Sequence, residues 1–328
     1  MSGGLSVHGG RLAEARSRFG GAREDWLDLS TGINPVAWSG GATADIDWRS
    51  LPDPGDLARL ERQAARYFGV DPALCCAVPG SETGLRLIAR ILGGRGLHLP
   101  LAYSTHADAF EHADPVASLA QLPAAPGTLV IANPNNPDGV LRATEALLNL
   151  LERQESGSGW LIVDEAFADC RPEHSIAGHV ASGRRLIVLR SFGKFFGLAG
   201  VRLGFVVAPT ELLGQLRRRL GEWPVSAAAL AFGTEAYGDA GWIAATRRTL
   251  PEQASRLDAV LKRHGLAPRG ECPLFRLVET SEAGALFIRL AQRHILIRPF
   301  ADHSRLLRFG LPNGDAALGR LDAALAHG

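Results

Sequence analysis

Short apolar runs recur through the middle of this chain, and each one breaks abruptly into a polar, turn-forming loop. Thr128-Leu-Val-Ile-Ala132 leads into Asn133-Pro-Asn-Asn-Pro-Asp-Gly139, and Trp160-Leu-Ile-Val163 leads into Asp164-Glu-Ala-Phe167. Leu186-Ile-Val-Leu189 leads into Ser191-Phe-Gly-Lys-Phe-Phe-Gly-Leu-Ala-Gly-Val-Arg-Leu-Gly204. Runs this short and this apolar read as buried strands. Segments with helical periodicity, Leu57–Tyr67, Thr83–Leu92 and Val140–Gln154, alternate with the strand-like ones. Such alternation predicts an α/β fold in which helices cover a mainly parallel sheet. Open α/β sheets bind their ligands just past strand ends, where these loops stand.

After Pro209 the pattern changes. Glu211–Leu220 and Pro251–His264 read as long, arginine-rich helices, followed by strand candidates near Leu274–Val278 and His294–Arg298. The expected division is an N-terminal segment over 1–28, a large domain over 29–215 and a smaller α+β domain over 216–328. A formal charge of +1 creates no field favouring nucleic acid or an anionic membrane. The apolar runs fall far short of the ~20 residues of a membrane span. The first residues lack the apolar centre of a secretory signal, and four cysteines without metal-binding spacing read as reduced thiols. A cytoplasmic protein with no metal site is the expectation.

Lysine is nearly absent. Lys194 and Lys262 are the only two, so 33 of the 35 basic residues are arginine. A chain that avoids lysine yet keeps one in a Ser/Gly-rich loop needs an amine there. A neutral amine forms a Schiff base with a carbonyl, which a guanidinium does not.

With Arg308-Phe-Gly-Leu-Pro312 added, the order and spacing of these segments resemble the fold-type-I pyridoxal 5′-phosphate (PLP) enzymes of the aminotransferase superfamily. The likeness runs from about Asp28 to Pro312. It implies PLP as cofactor, Lys194 as the Schiff-base lysine, and Asp164 as the carboxylate that keeps the pyridine nitrogen protonated. The cofactor phosphate would lie on Gly80-Ser81-Glu82, where the amides of a helix start suit an anion, helped by Ser191 and Arg202. Ser81 also reads as an ordinary N-cap. Tyr103 matches the aromatic that stacks on the ring, and it counts with Lys194 and Asp164 as catalytic. Asn136 matches the partner of the ring hydroxyl, while Asn133 and Asn135 read as turn formers. Glu165 falls on the opposite face of its strand from Asp164 and reads as structural. Arg308 matches the arginine that grips the substrate's α-carboxylate with both arms of its fork. These enzymes form homodimers, and Tyr67 or the Leu51–Pro54 segment is expected at the subunit boundary.

Two departures narrow the reaction. Phe167 and Leu51 stand where aminotransferases commonly carry tyrosines. His8-Gly-Gly10, Asp28-Leu-Ser-Thr-Gly-Ile-Asn-Pro35 and the lysine loop are similar to the threonine-phosphate decarboxylases of cobalamin biosynthesis, relatives of the histidinol-phosphate aminotransferases. That resemblance implies a PLP-dependent carboxy-lyase converting L-threonine O-3-phosphate to (R)-1-amino-2-propanol O-2-phosphate. The alternative is histidinol-phosphate transamination with 2-oxoglutarate. The choice is stereoelectronic, since the Cα bond held perpendicular to the cofactor plane is the one that breaks. The substrate's anionic groups would be held by Arg308, Asn34, Arg298 and His8.

Overall fold

A computed structural model describes residues 9–40, 46–123 and 126–326. His8 lies outside them. The chain forms two compact units, one of Met1–Val36, Pro137–Gly139 and Ala245–Gly328, the other of Ala37–Asn136 and Val140–Ala244. We call them the terminal unit and the sheet unit.

The chain begins in the terminal unit with α1 (Leu12–Phe19) and β1 (Leu27–Asp28). The sheet unit follows with α2 (Pro54–Phe68), β2 (Cys75–Val78), α3 (Ser81–Leu92), β3 (Arg95–His98), α4 (Thr105–Asp108) and β4 (His112–Pro115). Next come β5 (Thr128–Ala132), α5 (Thr144–Ser156), β6 (Trp160–Asp164), β7 (Leu186–Ser191), α6 (Phe192–Phe195) and β8 (Gly204–Val207). Then α7 (Thr210–Leu220) and α8 (Ala227–Gly238) lead into α9 (Ala240–Arg263).

The seven strands of the sheet unit lie in the order β2-β8-β7-β6-β5-β3-β4. β8 runs antiparallel to both its neighbours, and the other pairings are parallel. β5 and β7 are buried along their whole length, as the apolar runs Leu129–Ala132 and Leu186–Leu189 that make up most of them suggest. Leu85 and Ile88 of α3 and Leu212 and Leu216 of α7 join the core with Val78, Val130, Ile162, Ile187 and Val206 of the sheet. Each such side chain contributes roughly 1.5–3 kcal/mol on burial.

Local signals set the helix ends. Asp53 caps α2 by accepting from the Gly55 N–H at 2.6 Å, Pro54 occupies the first turn, and Gly69 closes the helix in the left-handed region at φ 71°. The helix expected from Val140 begins instead at Thr144. The Val140 carbonyl and the Arg142 N–H are already taken by Asn135 N (2.8 Å) and Asn133 Oδ1 (2.7 Å). The helix expected from Pro251 begins at Ala240, with an exposed Pro251 inside it. A proline reads as a helix start because its missing N–H costs nothing in the first turn, but here Pro251 lies inside α9, which begins eleven residues earlier.

The terminal unit continues with β9 (Phe275–Glu279), α10 (Ala283–Gln292), β10 (Ile295–Leu296), β11 (Arg298–Pro299), β12 (Leu306–Gly310) and α11 (Gly314–Ala326). β11, β12 and β9 form an antiparallel sheet in that order. β1 pairs in parallel with β10, Leu29 donates to the Leu296 carbonyl at 2.7 Å, and Gly310 donates to the Leu29 carbonyl at 2.7 Å. The N-terminal segment is thus hydrogen-bonded into the C-terminal elements. The compact units divide after Val36 and Ala244 rather than at the expected 28 and 215. One reason is that α8 packs on α2, with Gly233 set against Leu60 and Leu203.

Candidate active site

The loop after β7 and the N-terminus of α3 meet in the sheet unit. Ser191 pairs in register with Gly204 across β7 and β8. A Cβ on Gly204 would lie 2.4 Å from the Ser81 amide nitrogen, so only glycine lets this strand approach the helix start. Gly80, at φ 95°, occupies the N-cap position, and a Cβ there would lie 2.7 Å from Nη2 of Arg202. Ser81 is therefore not the cap but the first helical residue, and no side chain caps α3. Arg202 itself is held at φ 55°. Open amides, a helix dipole, a serine hydroxyl and a guanidinium together make an anion cradle.

Asp164 ends β6 and is 8 % exposed. Its carboxylate accepts from the Ala166 N–H at 3.0 Å and lies 3.3 Å from Nε2 of the buried His106. Lys194, in the single turn of α6, places Nζ 6.0 Å from the centroid of the Phe167 ring. Tyr103 meets His106 edge-to-face at 5.9 Å, and its hydroxyl donates to Glu82 Oε2 at 3.0 Å. Burial first, and the Glu82 charge with it, push the Tyr103 hydroxyl up to about 12, so it stays protonated. Burial also pushes the Glu82 carboxyl up, but hydrogen bonds from Arg86, Tyr103 and Thr105 outweigh it and hold the group below its usual range. Glu82, expected among the cofactor residues, spends its carboxylate on these three partners, and only its backbone N–H suits an anion.

Asn133 and Asn135 serve the loop itself. Asn133 Nδ2 donates to the Arg142 carbonyl at 3.1 Å, and Asn135 Nδ2 donates to the Leu101 carbonyl at 3.0 Å. Asn136, between them and the next turn, is half-buried. Glu165 faces away from Asp164 and accepts from Arg190 Nη1 at 2.6 Å, Ser175 Oγ at 2.6 Å and the Ile176 N–H at 2.8 Å. Arg190 also pairs with Asp169 and lies 4.6 Å over the Phe68 ring.

In the terminal unit, Arg298 and Arg308 are register partners on β11 and β12. Arg308 is 6 % exposed, donates to the Ser30 carbonyl at 2.9 Å and lies 5.0 Å over the Phe275 ring. Burial, and after it the Arg298 charge, push Arg308 down to about 10, so it remains cationic at neutral pH. Two guanidiniums side by side across a strand pair favour an anion with more than one charge. Asn34 is buried and accepts from the Val36 N–H at 3.0 Å.

Sequence reasoning missed His106. The one available signal was its place three residues beyond Tyr103; no motif marks a lone histidine as the neighbour of an aspartate 58 positions away.

The sequence pattern of the family described as aminotransferase class I and II matches residues 88–320. The chain is 42 % identical over 329 aligned positions to a threonine-phosphate decarboxylase from a Sinorhizobium species, covering 98 % of each chain. It is 40 % identical to a threonine-phosphate decarboxylase from Pseudomonas aeruginosa, covering 97 % of this chain and 96 % of that one. The fold matches a histidinol-phosphate aminotransferase from Sinorhizobium meliloti solved in complex with pyridoxal 5′-phosphate. The TM-score is 0.83 at 22 % identity, covering 96 % of this chain and 93 % of that one.

Proposed function

The chain belongs to the aminotransferase class I and II family, and we propose that within it the chain is a PLP-dependent decarboxylase of L-threonine O-3-phosphate. The products are CO2 and (R)-1-amino-2-propanol O-2-phosphate. The near-full-length match to two threonine-phosphate decarboxylases carries this choice over histidinol-phosphate transamination.

The residues present fit the cofactor. Gly80 and Gly204 leave a cradle that a Cβ at either position would close, with Ser81, Ser191 and Arg202 around it. These groups would hold the cofactor phosphate, Asn136 its ring hydroxyl and Tyr103 the face of its ring. When bound, PLP supplies an electron sink for the pair released as a Cα bond of the substrate breaks. Asp164 holds the proton on the pyridine nitrogen, and His106, at 3.3 Å, fixes the orientation of that carboxylate. Lys194 Nζ delivers the proton that replaces the departing carboxylate at Cα, so the amine is retained and no 2-oxoacid is consumed. Arg308 pairs with the substrate's α-carboxylate, and Arg308, Arg298, Asn34 and His8 together hold the carboxylate and the phosphate of the substrate. This orients the Cα–carboxylate bond for cleavage.

The enzyme works as a cytoplasmic homodimer in cobalamin biosynthesis. Among the described residues no helix is long and apolar enough to cross a membrane, and all four cysteines are buried thiols. The deciding experiment supplies purified protein with PLP and L-threonine O-3-phosphate but no 2-oxoacid. Sustained CO2 release is expected. Absence of CO2, with 2-oxoglutarate-dependent turnover of histidinol phosphate, would make the chain an aminotransferase.

A further inference from the structure

Glu82 carries a negative charge in the first turn of α3, the helix whose N-terminus is given to a phosphate, and like charges there repel. Its surroundings offset that charge. Arg86 donates to Oε1 through Nε at 3.2 Å and Nη2 at 3.1 Å, and Thr105 Oγ1 reaches the same oxygen at 3.3 Å. Tyr103 donates to Oε2 at 3.0 Å. Arg86 also donates to the carbonyl of Asp108, the last residue of α4, at 3.3 Å. The Glu82–Arg86 pair therefore clamps the segment from Tyr103 to Asp108 onto α3. That segment is a single helical turn without a side-chain cap, too short to hold its own shape. Yet it carries both Tyr103 and His106, and His106 reaches Asp164.

Resting on the reading of Tyr103 and Asp164 as cofactor residues, we infer that Glu82 is a positioning residue. It locks the ring-stacking tyrosine and the histidine behind Asp164 to the phosphate-binding helix, so that phosphate and ring are held by one rigid unit. Its carboxylate never touches the cofactor; it acts through the Tyr103 hydroxyl.

The test is a double-mutant cycle on cofactor affinity, read by titrating apoenzyme with PLP and by the circular dichroism induced in the bound cofactor. Glu82→Ala and Tyr103→Phe should each weaken PLP binding about tenfold, the scale of one hydrogen bond to a charged group. The double variant should be little weaker than Glu82→Ala alone, because Glu82→Ala already removes the partner of the Tyr103 hydroxyl. Glu82→Gln, which still offers an oxygen to Tyr103, should recover most of the affinity and dichroism. Additive effects, or variants with a lower melting temperature but unchanged affinity and dichroism, would overturn the inference. If Glu82→Ala does not fold, Tyr103→Phe decides alone, and unchanged affinity in it would be equally fatal. A wild-type chain that takes up no PLP would sink the functional reading itself, and this inference with it.

Discussion

Lys194 is the residue on which the chemistry turns, because no other amine stands in the strand-end loops. Lys194→Ala should lose the absorbance of the protonated cofactor and lower decarboxylation by about three to four orders of magnitude, the scale of a lost proton-transfer group. A variant retaining both would remove Lys194 from the mechanism. Glu82 sets a pH limit of the opposite kind. Its folded-state carboxyl titrates below the ordinary value of 4.5, so its contribution is fully present above 4.5 and is lost as pH falls through its own lower value. The stability that Glu82 adds to the fold should hold down to that pH and decline only beneath it. Glu82→Gln should show a smaller acid decline than the wild type, and denaturant unfolding across the acid range distinguishes the two.

At the scale of elements, the site depends on strand ends being brought to one helix start and held there. Gly204→Ala forces a Cβ against the Ser81 amide, so β8 must retreat from α3. The expected cost is about 1–3 kcal/mol of stability, with a matching loss of PLP affinity, measured by denaturant unfolding and by titration. On the opposite face of the sheet, Arg190 joins β7 to Glu165 beyond β6 and to Asp169. Arg190→Met should strand two buried carboxylates and cost about 3–5 kcal/mol, seen as a lower urea midpoint. A midpoint within error of wild type would mean the cluster does not brace the strand ends.

For the whole molecule, the homodimer reading draws support from apolar surface on the sheet unit. Trp48, Leu51 and Trp223 are 73, 67 and 54 % exposed, large apolar side chains that a partner subunit would cover. Sedimentation should find a dimer, and Leu51→Glu should shift it towards monomer; a wild-type monomer at micromolar concentration would refute the reading. The sequence by itself determined the mainly parallel sheet and the strand-end loops, which live in short-range patterns of apolar runs and turn residues. The roles expected of Asp164 and Arg202 came from the family resemblance, and that of Lys194 from the resemblance together with a lysine kept where arginine is otherwise used. Only the tertiary structure decided that Gly80 rather than Ser81 occupies the cap and that the Glu82 carboxylate serves Tyr103. It also carried α9 through Pro251, set His106 beside Asp164 and made Arg298 and Arg308 neighbours across a strand pair. Most of these depend on groups distant in sequence meeting in space, as Tyr103 meets Glu82 and His106 meets Asp164. No local periodicity records such meetings.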